Sequence, residues 1–141
     1  MEDEFKIGVG DSDLALLLPR VVEFTTKSGS LLAKNLNEVV GATSEGGGVG
    51  AVVFMQLRDD NCVGYVCGYF TCPGEFIISQ ALLPNPEFSQ HYFSEVEREL
   101  KKRGAQKLML LTPHNPRLYR RYGFKFDRFL LVKEVGHNGI E

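Results

Sequence analysis

Residues 76–83 (FIISQALL) are a nearly unbroken apolar run with β-branched positions, and residues 107–112 (KLMLLT) are a second. Between them the pattern changes period. In residues 87–103 (EFSQHYFSEVERELKKR), Phe88, Tyr92, Phe93, Val96 and Leu100 fall on one stripe, while Glu95, Glu97, Arg98, Glu99, Lys101 and Lys102 lie largely off it. That spacing predicts an amphipathic helix between two buried strands. Asn85 can cap the helix and Pro86 suits its first turn. Lys101, Lys102 and Arg103 suit the negative end of its dipole, and Gly104 is the expected C′ residue. A strand joined to a strand through a helix implies a parallel pair with a right-handed crossover.

Upstream, Phe5-Lys6-Ile7-Gly8-Val9 alternates and predicts a first strand. Asp11, Ser12 or Asp13 can cap a helix over residues 14–24, which Pro19 would bend or split. Ser28-Gly29-Ser30 ends it, and residues 31–40 predict a second short helix with Leu32, Leu36, Val39 and Val40 inward. Gly46-Gly47-Gly48 predicts a mobile connector. A meander follows. Residues 50–57 and 62–71 read as strands around an Asp59-Asp60-Asn61 turn, and Cys72-Pro73-Gly74 turns the chain into the run at 76–83. After residue 112 a short helix and a final strand complete the order. The expected fold is α/β (α+β), with a mixed, mostly antiparallel sheet and flanking helices.

The stretch GAQKLMLLTPHNPRLYRRYGFK, and within it Leu118-Tyr119-Arg120-Arg121-Tyr122-Gly123-Phe124-Lys125, resembles the C-terminal half of the GNAT superfamily of CoA-dependent N-acyltransferases. The specific piece is a tyrosine followed shortly by Gly-Phe. The resemblance is strong over residues 96–126, weak before residue 60, and agrees with the order of elements. It implies one GNAT-like domain over residues 1–141, with residues 135–141 as a loose tail. It also implies a central pair of parallel strands, residues 76–83 and 107–112, splayed to admit the pantetheine arm of acetyl-CoA.

Length and composition suit that reading without requiring it. A chain of 141 residues can bury roughly 70% of its unfolded surface. Net charge is −2, yet residues 1–97 carry fourteen acids and five bases, and residues 98–141 carry four acids and eleven bases. The basic half could face CoA phosphates or nucleic acid, or be a solvated cationic helix end. No nucleic-acid reader motif accompanies Lys101, Lys102, Arg103, Arg117, Arg120, Arg121 and Arg128, so nucleic acid is not the expected partner. No apolar stretch approaches the ~20 residues of a membrane span, and MEDEFK lacks the features of a signal peptide, so the expected location is cytoplasmic. Cys62, Cys67 and Cys72 are five apart, which fits neither a zinc knuckle nor a redox pair. They are expected to be reduced packing residues, with neighbours on opposite strand faces, and no metal site is expected.

Carried onto these residues, the resemblance makes Tyr119 the general acid toward the CoA thiolate. Glu75 and His91 are candidates for the general base, with a surface carboxylate and a solvated histidine as the plain alternatives. Backbone at Ala81, Leu82 and Leu83 would follow the pantetheine. Gln90 would open the pyrophosphate cradle, and Asn115 matches an asparagine of the loop after the second splayed strand. The cradle itself departs from the family pattern of Gln/Arg-x-x-Gly-x-Gly/Ala. Residues 84–94 contain no glycine, and with Gln90 first the glycine places fall on Phe93 and Glu95. Two functions therefore stand. One is an acyl-CoA-dependent N-acyltransferase acting on a small-molecule or peptide amine. The other is a degenerate GNAT-like scaffold, of a kind expected in phage or viral genomes, that binds or assembles. Exposed strand edges leave a homodimer or a protein partner open. Phe88 or Phe93 filling the space before the helix would favour the scaffold.

Overall fold

The computed structural model describes residues 4–7, 11–43, 50–84, 86–110, 120, 123–125 and 133. The expected connector at Gly46–Gly48, the short helix after residue 112, the final strand and the tail at 135–141 lie outside these residues.

Five strands form one sheet in chain order: β1 (Glu4–Ile7), β2 (Ala51–Arg58), β3 (Asn61–Cys72), β4 (Glu75–Leu82) and β5 (Lys107–Leu110). The first four pair antiparallel, and β4 pairs with β5 in parallel. Helices α1 (Asp11–Ser28) and α2 (Leu32–Thr43) connect β1 to β2, and α3 (Pro86–Lys102) crosses from β4 to β5. The mixed α/β architecture with its parallel pair is therefore as expected.

The sheet is buried on both faces. Leu17 and Val21 of α1 and Val39 and Ala42 of α2 pack on Val53, Met55, Leu57, Tyr65, Cys67 and Leu82. Tyr92, Phe93, Val96 and Leu100 of α3 pack on Val52, Phe54, Val66, Phe76 and Ile78 of the opposite face. Such double burial explains why β2 reads as a continuous apolar run instead of alternating. The α3 stripe holds at Tyr92, Phe93, Val96 and Leu100, joined by fully buried Ser89. The helix ends as its sequence predicts. Gly104, at φ 98°, donates its N–H to Lys101 O, and Ala105 donates to Leu100 O, the paired bonds of a glycine-stopped helix.

Three local expectations need correction. Pro19 lies inside α1 and does not split it. The ring stands on the exposed side of the helix, where water can satisfy the carbonyl that loses its donor. In α2 the inward positions are Asn35, Val39, Ala42 and Thr43, while Leu32 and Val40 are 40% and 44% exposed. Asn35 can face inward because its amide donates to Thr25 Oγ1 and Ser30 Oγ, both at 2.8 Å. Finally, Cys62 and Cys67 share one face instead of opposing. Gln56 pairs with Gly64 and Leu57 with Cys62, so Val63 is an extra residue that reverses the alternation. All three cysteines are free, as expected of packing residues, although Cys72 is exposed.

A second bulge shapes β4. Ile78 pairs with Gly68 and Gln80 with Cys67, which leaves Ser79 as the extra residue. Before it, Phe76 and Ile78 face α3; after it, Gln80 and Leu82 turn toward α1 and α2. Close approach beside this bulge demands glycine at position 68, where a Cβ would lie 2.1 Å from Ile77 O.

Candidate functional site

Among the described residues the register of the parallel pair runs Glu75↔Lys107, Phe76↔Leu108, Ile77↔Met109 and Ile78↔Leu110. From Ser79 to Leu82, β4 has no β5 partner among the described residues. The Ser79 bulge sits at the first position beyond the last described pair. At the other end the strands are fastened: Gly74 O accepts the N–H groups of Gln106 at 2.8 Å and Lys107 at 3.0 Å.

Beside the bulge, on the α1/α2 face, polar side chains converge. Gln80, 1% exposed, donates from Nε2 to Glu38 Oε1 at 2.7 Å and to Asn35 O at 3.1 Å. Its Oε1 accepts the Tyr65 phenol at 2.7 Å. The single Ser79 hydroxyl proton is shared between Glu38 Oε1 at 3.2 Å and Cys67 O at 3.3 Å. Each polar atom of the Gln80 amide thus has a partner, which fixes the amide's orientation.

Neighbouring ionisable groups are held neutral. Burial pushes the Tyr65 phenol far above its ordinary range, with smaller contributions from Cys67, Cys62 and Glu38. Burial, then the Glu38 carboxylate, pushes the Cys67 thiol up to about 12, and burial pushes Cys62 up to about 11. Both thiols are buried and stay protonated near neutral pH, as packing residues do.

The expected site residues are spread over this frame. Leu82 faces α1 and α2, whereas Ala81 and Leu83 lie against the α3 layer, all along the stretch past the last β5 pair. Gln90 and His91 sit together, exposed, in the second turn of α3. Glu75, half-buried, begins β4 on its fastened half, about 23 Å along the strand from Leu82 at the usual rise per residue. Tyr119 and Asn115 lie outside the described residues. Phe93 is 4% exposed and packs edge-to-face on Phe124 with centroids 5.7 Å apart, inside the α3 layer; the Phe88 side chain is not among those described.

Glu38 and Gln80 went unread in the sequence. A glutamine inside FIISQALL was a usable signal, since a polar side chain in a doubly buried strand must find partners. A separate cavity of about 690 Å³ lies between α3 and β5, lined by Glu97, Lys101, Gln106, Lys107, Leu108 and Phe124. It adjoins the C-terminal half of α3 and the fastened half of the pair, away from the bulge. Among the described residues no group of His, Cys, Asp and Glu could hold a metal, and no helix is long and apolar enough to cross a membrane.

No family model matches the chain, and no curated relative matches it. Solved structures do. A ribosomal-protein-alanine N-acetyltransferase from Brucella melitensis biovar Abortus is similar at TM-score 0.71 and 13% identity, over 96% of this chain and 100% of that one. An aminoglycoside N-acetyltransferase, AAC(6')-Iy, in complex with CoA is similar at 0.70 and 9%, over 95% and 97%. An acetyltransferase described as of the GNAT family, from Desulfovibrio desulfuricans, is similar at 0.68 and 22%, over 89% and 87%. At these identities the shared property is the fold, which is that of GNAT acetyltransferases.

Proposed function

We propose that the chain is an acyl-CoA-dependent N-acyltransferase that moves an acyl group to an amine beside the parting of β4 and β5. One observation carries this reading: a bulge at Ser79 re-aims β4 just past Ile78↔Leu110, the last described pair with β5, and Ser79–Leu82 has no partner among the described β5 residues. Similarity to acetyltransferases, one of them in complex with CoA, supports it.

The residues fit one part of acetyl-CoA better than another. Backbone at Ala81, Leu82 and Leu83 suits the amide-bearing pantetheine arm. The diphosphate has a poorer seat. β4 ends at Leu82 and α3 begins at Pro86, a link of three residues without glycine. Pro84 and Pro86 lack N–H groups, and Glu87, the second residue of the helix, is acidic. A helix opening still favours anions through its remaining amides, but less than a glycine loop does. The CoA grip is therefore rebuilt, and its phosphates are held more weakly than in a glycine-cradled relative.

Acetyl-CoA, when bound, supplies the activated acyl thioester. In the transfer the acyl carbon would pass from sulfur to the amine nitrogen, a base on the chain would take the proton that the amine loses, and Tyr119 would give its phenolic proton to the departing sulfur. Gln90 and Asn115 are assigned to CoA binding, and Glu75 and His91 remain the base candidates carried by the chain. The domain is read as one unit over residues 1–141 in the cytoplasm.

The alternative, a scaffold that has lost CoA, is favoured by the prolines and the carboxylate at the helix opening. Thermal unfolding with added acetyl-CoA separates the two. A ligand bound by the folded state alone raises the melting temperature. A dose-dependent rise supports the transferase; a flat response into the millimolar range leaves the scaffold.

A further inference from the structure

We propose that Glu38 receives the positive charge of the acceptor, and that the acceptor is a primary alkylamine that arrives as its ammonium beside the bulge of β4 and gives one proton to a base before its nitrogen attacks. This deepens the transferase reading and rests on it for the statement that the bound amine is the acceptor.

Glu38 is not an ordinary solvated carboxylate. It is half-buried on α2, one turn from Asn35. Gln80 fixes its Oε1 at 2.7 Å and Ser79 supports the same atom at 3.2 Å. Gln80 is held in turn by Tyr65 and by Asn35 O, and Asn35 by Thr25 and Ser30. Residues from α1, α2, β3, β4 and the α1–α2 link therefore set the position of one carboxylate. Holding side chains in this way fixes its geometry before any ligand arrives.

What the network does not provide is a counter-charge. Asp13, Glu23, Glu95 and Glu99 each pair with a lysine or arginine. Glu38 has no ion pair with a described residue, and its Oε2 takes no hydrogen bond from one. Two neutral donors on Oε1 do not cancel the charge, and partial burial weakens water's screening of it. An ammonium is a compact point charge with three donors, suited to the open oxygen. Ser79 is also the first β4 residue past the last described β5 pair, so a cation on Oε2 stands beside the stretch assigned to the thioester. If Glu38 served only to orient Gln80, an uncharged acceptor in its place would suffice.

The test uses the full chain, ¹⁵N-labelled, titrated with 1,4-diaminobutane and with 1,4-butanediol, its neutral counterpart. The diamine is expected to shift the signals of Glu38, Ser79 and the Gln80 side chain, less so as salt is raised, and the diol to leave them in place. Glu38→Gln keeps the size and the acceptor for Gln80, and is expected to weaken diamine binding at least about tenfold. Ser79→Ala, which removes one support, is expected to weaken it by less and carries the comparison if Glu38→Gln fails to fold. Absence of diamine shifts at Ser79 and Gln80, or equal binding by the variants and the wild type, overturns the proposal. Calorimetry with acetyl-CoA on the same samples separates the two levels. Diamine binding without acetyl-CoA binding removes the transferase and keeps the cation site; the reverse removes the cation site alone.

Discussion

The Tyr65 phenol donates a 2.7 Å hydrogen bond to Gln80 Oε1, joining β3 to β4 inside the layer beneath α2. Neither end reaches water: Tyr65 is 0% exposed and Gln80 1%. Tyr65→Phe keeps the ring and leaves a buried amide oxygen without its donor. The expected cost is about 1–3 kcal/mol in urea denaturation, with the Gln80 side-chain signal displaced. An unchanged midpoint would show that water replaces the phenol at no cost.

The thiols give a prediction in pH. Cys62 and Cys67 are raised from 9.0 to about 11 and 12, by burial above all. An unfolded chain loses these protons near pH 9 while the folded chain keeps them. Folding stability is therefore full below about pH 9 and falls as pH rises from 9 toward 12. Tyr65 and Tyr92, raised by burial, act with the same sign. At pH 8 in the native state a thiol reagent is expected to modify exposed Cys72 and to spare the other two. Equal reaction at all three would contradict the packing around β3.

The β2–β3 hairpin turns on two residues in the left-handed region, Asp59 at φ 51° and Asp60 at φ 66°. Aspartate tolerates that conformation and glycine prefers it. Asp60→Gly creates the Asp-Gly pair favoured in such turns and is expected to stabilise the protein by about 1 kcal/mol. A lower melting temperature would mean that the Asp60 side chain contributes more than its backbone costs.

Tyr119→Phe tests the assigned acid. Loss of the phenolic proton is expected to slow turnover by about 10²-fold or more, with acetyl-CoA affinity nearly unchanged. Unaltered turnover would remove the role from Tyr119.

The order of the described elements, β1 to β5, was readable because its signals are local. α3 has an apolar stripe and a glycine stop, and β4 and β5 are apolar runs, although β4 alternates buried with half-buried positions and β5 is half-buried throughout. The errors came from tertiary facts. Asn35 took an inward place on α2 because Thr25 and Ser30 meet it, and Val63 reversed the face of Cys62 because β2 has no residue opposite it. Glu38 was invisible for the same reason, since its setting requires α2, β3 and β4 to converge. Tyr119 and Asn115 came from the resemblance and lie outside the described residues, so their placement rests on that likeness.

Both the Gln106 and Lys107 amides clip onto the one carbonyl of Gly74, at the start of the four described pairs that join the parallel strands. Gly74 itself stands at φ 86°, and a Cβ added to it would lie 3.3 Å from Gln106 Oε1. Any side chain there would strain the turn and crowd the clip, so the path by which β5 joins the sheet depends on a residue that has none.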